Sequence, residues 1–90
     1  MMRRAAKVDQ NQEQIVSALR AAGASVQSMA QIGRGCPDLL IGHEGETWVM
    51  EVKGPHGKLT PDQETWLKNW KGAVHIVREP DDALRIIGAL

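Results

Sequence analysis

Ninety residues of which 42% are apolar suffice for a single small domain, residues 1–90, with a limited core. A formal net charge of zero and a pI near 6.8 remove the basic signature usual in nucleic-acid binders, so any such role has to come from locally placed charge. The single cysteine, Cys36, excludes an intrachain disulfide or a cysteine-based zinc cluster, and Met1–Lys7 lacks the apolar run of a signal peptide or membrane span, so the expected location is a reducing cytoplasm.

Residues 1–8 read as a flexible basic N-terminus carrying Arg3, Arg4 and Lys7. The first helix is predicted to open with Asp9 as N-cap and Gln12 at N3, a variant of the capping box. Ile15, Val16, Leu19 and Ala22 form its apolar stripe, and Gly23 supplies the stop. A short strand around Ser25–Met29 comes next. Gln31–Gly35 is a polar link whose glycines suit either the close approach of a backbone or ligand, or a plain loop.

Cys36–Ile41 and Thr47–Lys53 read as two strands of a hairpin around the polar turn Gly42–Glu46. With the turn centred on Glu44-Gly45, Asp38 falls directly opposite Glu51, where facing Cβ atoms lie about 4.5–5.5 Å apart. Lys53, two residues beyond Glu51, emerges on the same face. Paired carboxylates suit a hard divalent cation such as Mg²⁺, which retains waters for phosphate chemistry, and the lysine suits orienting an attacking water. The plainer reading is a surface salt bridge. Against it, the other face of the hairpin is wholly apolar (Leu39, Ile41, Trp48, Met50, Val52), and Leu40 and Val49 share the charged face. Carboxylates at the edge of a core repel one another unless a cation or proton compensates. Cys36, beside Pro37, reads as a small buried thiol in a strand rather than as a nucleophile, since no histidine is near in sequence.

Gly54–Lys58 forms a loop beside the charged patch. Thr60 as N-cap and Pro61 at N1 open the second helix. Trp66, Leu67 and Trp70 are expected to be its buried face, with Gly72 ending it; indoles can stack on bases, but at helical spacing they read as core. Ala73–Val77 is expected as a buried strand. Pro80 opens a third helix with Asp81 and Asp82 in its favourable first turn and Ala83, Leu84, Ile86, Ile87 and Leu90 as an apolar face. That face and the small core make dimerisation physically reasonable. The order αβββαβα specifies an α/β fold with a mixed sheet flanked by helices.

Gly35-Cys36-Pro37-Asp38, Glu51-Val52-Lys53 and Leu59-Thr60-Pro61-Asp62-Gln63 together resemble, in order and spacing, the VRR-NUC domain of the PD-(D/E)XK nuclease superfamily. Asp9–Gly23 and Val74–Leu84 are similar to the small free-standing members of phages and prophages. The resemblance implies a restriction-endonuclease-like core and a Mg²⁺- or Mn²⁺-dependent phosphodiesterase acting on DNA in a bacterial or phage-infected cell. It implies Asp38, Glu51 and the Val52 carbonyl as metal ligands. Lys53 then positions the attacking water and stabilises the transition state. Gln63 matches the family's glutamine on the second helix. It has two readings, reaching back to the Thr60 amide as a capping box or pointing into the site. An acidic residue on the first helix also belongs to the family pattern. Glu13 is the only carboxylate in Asn11–Gln14, and Gln12 or Gln14 are the other candidates for that turn. Arg34, His56 and Lys58 are the DNA-contact candidates. Likeness to Holliday-junction resolvases implies a homodimer acting on four-way junctions. Alternatives are a flap, fork or RNA nuclease, a non-catalytic nucleic-acid-binding or assembly protein, and a metal-binding accessory protein.

Overall fold

A computed structural model describes the backbone of residues 3–90 and the side chains of residues 11–90. The elements follow the expected order: α1 (Arg3–Ala21), β1 (Ser25–Ser28), β2 (Leu39–His43), β3 (Glu46–Val52), α2 (Pro61–Asn69), β4 (His75–Val77) and α3 (Pro80–Ile86).

The start of α1 departs from expectation. The helix begins at Arg3, so Asp9 lies within it and is not its N-cap, and Arg3–Val8 are helical rather than a separate tail. The physical reason is local: Arg, Ala and Lys are strong helix formers, and nothing in Arg3–Lys7 breaks the run. The side chains of Arg3, Arg4 and Lys7 fall outside the described residues. The other end matches. Gly23 takes φ +95°, its N–H donates to Arg20 O, and the Ala24 N–H donates to Leu19 O, both at 3.0 Å. That pair of bonds is a Schellman motif, which requires the left-handed residue that glycine supplies.

The sheet runs β1-β2-β3-β4, antiparallel through the first three strands and parallel between β3 and β4. In the hairpin, Leu39 pairs with Met50, Ile41 with Trp48 and His43 with Glu46, the register expected from a turn at Glu44-Gly45. Those two residues have φ of +51° and +84°, the double positive φ of a type I′ turn. β2 starts at Leu39 and not Cys36, because Pro37 cannot donate to a ladder; Cys36 therefore sits in a turn, half-buried.

Alternation divides the sheet into two faces. One carries Leu39, Ile41, Met50, Val52 and Val77, which pack against Ile15 and Leu19 of α1, Ala83 of α3 and Ile87 just past its end. Leu84 and Ile86 also pack onto this core, so most of the apolar face of α3 is covered within the chain and not left for a partner. Leu90, past the helix end, is 64% exposed.

The opposite face carries Leu40, Val49 and Glu51, with Ile76 of β4 level with Glu51. Three expectations fail here. α2 has no buried residue: Trp66 and Leu67 are half-buried and Trp70 is 48% exposed. The helix docks through its polar first turn and not through its indoles. It ends at Asn69, with Trp70 extended, so Gly72 is not the terminator. β4 is a short edge strand in which Val77 is buried but Ile76 is 42% exposed. Among the described residues its outer edge has no neighbouring strand, and α3 covers one of its faces.

Candidate active site

Everything in the site hangs on the hairpin register. Glu51 is the buried charged residue of the described chain, 2% exposed, and Asp38 stands one residue before β2 on the same face. The Asp38 backbone carbonyl extends the sheet by accepting from the Met29 N–H at 2.7 Å. Its carboxylate Oδ2 accepts from the Val52 N–H at 2.9 Å, which locks the carboxylate beside Glu51 and fixes the Val52 peptide. Lys53 follows β3, its N–H bonded to Val77 O, and its Nζ lies 3.7 Å from Glu51 Oε2.

Gln63 satisfies both of its readings at once. Thr60 Oγ1 accepts from the Gln63 N–H at 3.2 Å, and Gln63 Oε1 accepts from the Thr60 N–H at 3.0 Å, a complete capping box. Because its oxygen is engaged by a backbone donor, the amide must present Nε2 on the other side. That Nε2 donates to Glu51 Oε2 at 2.9 Å. Oε2 of Glu51 thus accepts from Gln63 and ion-pairs with Lys53, while Oε1 is buried without a hydrogen-bond partner among the described residues.

Burial, and secondarily the charge of Asp38, push Glu51 up to about 7 against the opposing pull of Lys53. A buried oxygen without a donor and a carboxylate made reluctant to ionise both describe a place where positive charge is missing. Among the described residues no cluster of three His, Cys, Asp or Glu side chains exists that could hold a metal. The donor set is therefore two carboxylates supplemented by backbone, and the unshared Oε1 fits a hard cation.

The first helix reaches the site through a residue the sequence reading passed over. Asn11 Nδ2 donates to the Lys53 carbonyl at 3.1 Å. Gln12 and Glu13 line a cleft with Val16, Arg20 and Ser28, and neither hydrogen-bonds or ion-pairs with Asp38, Glu51 or Lys53 among the described residues. The signal for Asn11 was available: it continues the buried stripe of Ile15 and Leu19 one turn earlier, and a polar residue in such a stripe needs a partner. Arg78 gave no such signal. Its Nη1 donates to Gly54 O at 2.6 Å and Gly57 O at 2.9 Å, which pins the loop that carries His56 and leads to Lys58. Both of those side chains, and Arg34, are exposed. Burial and the charges of Asp38 and Glu51 raise the Cys36 thiol, which keeps it protonated and unsuited to nucleophilic attack.

The model of the VRR-NUC domain family matches residues 2–77. The chain belongs to the VRR-NUC family. A solved structure described as a VRR-NUC domain is similar with a TM-score of 0.71 and 26% identity, covering 91% of this chain and 95% of that one. No curated protein matches the chain. VRR-NUC domains are nuclease-type, and the mixed sheet flanked by helices found here is the family's architecture. Among the described residues of this VRR-NUC domain, no helix is long and apolar enough to cross a membrane.

Proposed function

We propose that this VRR-NUC domain is a divalent-metal-dependent endonuclease that hydrolyses phosphodiester bonds in branched DNA, four-way junctions foremost. The observation that carries the reading is Glu51: one oxygen held by Gln63 and Lys53, the other buried and unpartnered beside Asp38. Asp38, Glu51 and the Val52 carbonyl would hold Mg²⁺ or Mn²⁺. Bound there, the cation supplies Lewis-acid polarisation of the phosphodiester and the positive charge this pair of carboxylates lacks.

The remaining roles belong to the chain itself. Lys53, 13% exposed and anchored at both peptide flanks by Val77 and Asn11, is a fixed ammonium that orients the attacking water and meets the charge growing on the phosphoryl oxygens. Gln63 holds Glu51 in one rotamer through Oε2, which leaves Oε1 free for the cation without reorganisation. Asp38 does the same for the Val52 peptide. Arg34, His56 and Lys58, all exposed, would contact backbone phosphates, local charge through which a chain of zero net charge would engage DNA. A homodimer would set two such sites across a two-fold axis, the arrangement that paired cuts at a junction require.

The test is cleavage of a four-way junction with Mg²⁺ or Mn²⁺ by wild type, Asp38→Asn and Glu51→Gln. Both variants keep hydrogen-bonding side chains at these positions, so both should fold and neither should cut. Wild-type melting temperature should rise with Mn²⁺ and that of the variants should not. Cutting by either variant at the wild-type rate would refute the assignment.

A further inference from the structure

A groove of about 510 Å³ lies between α2 and the loop before β2, lined by Arg34, Asp62, Thr65, Trp66, Asn69 and Trp70. We propose that it is a stacking site for an unpaired base of the DNA strand whose neighbouring phosphate enters the carboxylate site; the inference rests on the nuclease reading above.

Four observations point to this occupant. Trp66 and Trp70, one helical turn apart, stack with ring centroids 4.8 Å apart and planes 20° from parallel, yet neither is buried. Half of Trp70 is left to solvent as the outer leaf of an existing stack. Next, the loop facing α2 is shaped to hold a cation there. Gly33, Arg34 and Gly35 take φ of +74°, +57° and +81° in succession, a conformation costly for the one non-glycine among them. A Cβ on Gly35 would lie 2.2 Å from Asp62 O, so this loop presses against the first turn of α2 and leaves Arg34 at the groove. Arg34 has no ion pair among the described residues, although Asp62 lines the same groove. Third, Asp62, Thr65 and Asn69 supply the donors and acceptors that the edge of a base needs, while the guanidinium suits its phosphate. Last, the groove adjoins the chemistry: Asp62 precedes Gln63, whose amide holds Glu51.

A second copy of the chain is the competing occupant. Two indoles carry about 150–250 Å² each, well short of the roughly 800 Å² per partner of a stable interface, and the rest of the lining is polar or charged. Base stacking needs only the indole face and the cation, and it tolerates any base.

The groove is tested without metal, so that binding is separated from cutting. Quenching of intrinsic tryptophan fluorescence and anisotropy are read with short oligo(dT) and with a blunt duplex, in chelator, for wild type, Trp70→Ala, Trp70→Phe and Arg34→Gln. Oligo(dT) should quench the wild type. Trp70→Ala should weaken oligo(dT) about tenfold to a hundredfold while changing duplex affinity less than about twofold. Trp70→Phe should keep most of the affinity, and Arg34→Gln should reduce the log–log salt slope for oligo(dT) by about 0.7. Equal weakening toward both DNAs, no weakening in either the Trp70→Ala or the Arg34→Gln variant, or a halved mass of Trp70→Ala by light scattering would overturn the proposal. The two readings fail separately. Junction cleavage that needs Glu51 alongside oligo(dT) binding indifferent to Trp70 and Arg34 sinks the groove alone. Stacking without any cleavage sinks the endonuclease assignment.

Discussion

Gln63 Nε2 donates to Glu51 Oε2 at 2.9 Å while Gln63 Oε1 closes the capping box of α2. One amide therefore ties the first turn of a helix to a buried carboxylate on the sheet. The two functions separate by mutation. Gln63→Glu keeps an acceptor for the Thr60 N–H but sets a carboxylate against Glu51, so it should lower activity far more than helix stability. Gln63→Ala loses both and should cost about 1 kcal/mol from the cap alone, with a further loss from releasing Glu51. Chemical denaturation and cleavage rates of the two variants should diverge; equal losses in both would mean that Glu51 does not need the amide.

Glu51 should make the metal-free protein less stable as pH rises. Its carboxyl ionises near 4.5 when unfolded and is pushed up to about 7 when folded. Between those values the folded chain carries the extra proton, so stability is fully present below 4.5 and is lost as pH climbs through 7. The loss is on the order of 3 kcal/mol, enough to lower Tm by more than about 10 °C in a chain of this size. Melts in chelator at pH 5 and pH 8 measure it. Glu51→Gln should flatten the dependence, and parallel curves for the variant and wild type would place its origin elsewhere.

Lys53→Ala should slow cleavage by about two orders of magnitude or more while leaving Mn²⁺ binding nearly unchanged, the scale of a lost electrostatic stabiliser. Without its ammonium, the upward push on Glu51 loses its main opposition, so the pH-dependent melting above should steepen. Calorimetric titration and single-turnover rates give the two quantities. If both stayed at wild-type values, Lys53 would be a salt-bridge partner only.

Arg78 should matter for substrate binding more than for chemistry. Its two bonds to Gly54 O and Gly57 O hold the loop bearing His56. Arg78→Ala removes the Nη1 that makes both bonds. Faster hydrogen exchange in residues 54–58 and a weaker apparent affinity for DNA, with kcat held within about threefold, are expected. An unchanged exchange pattern would deny the loop its clamp.

The association state is measured by light scattering. A homodimer at micromolar concentration should bind a four-way junction more tightly than duplex of equal length, with a log–log salt slope near −0.9 for each neutralised phosphate. A monomer, or equal affinity for both DNAs, would leave a nuclease without junction preference.

The hairpin and the meeting of Asp38, Glu51 and Lys53 on it were legible in the residues alone. Glu44-Gly45 specifies a two-residue turn, and strict alternation then allows one register, which sets Asp38, Glu51 and Lys53 on one face. The helix stop at Gly23 and the starts at Thr60 and Pro80 were equally local, because caps depend on a handful of adjacent residues. Tertiary structure alone decided the rest. It chose Asn11 over Gln12 and Glu13, because helix rotation against the sheet sets which residue meets Lys53. Arg78 met a loop more than twenty positions away, a contact no local pattern encodes. The tryptophans were misread as core for the same reason. Their spacing states that they share a helix face, but only the docking of α2 through its polar first turn determined that this face would meet solvent.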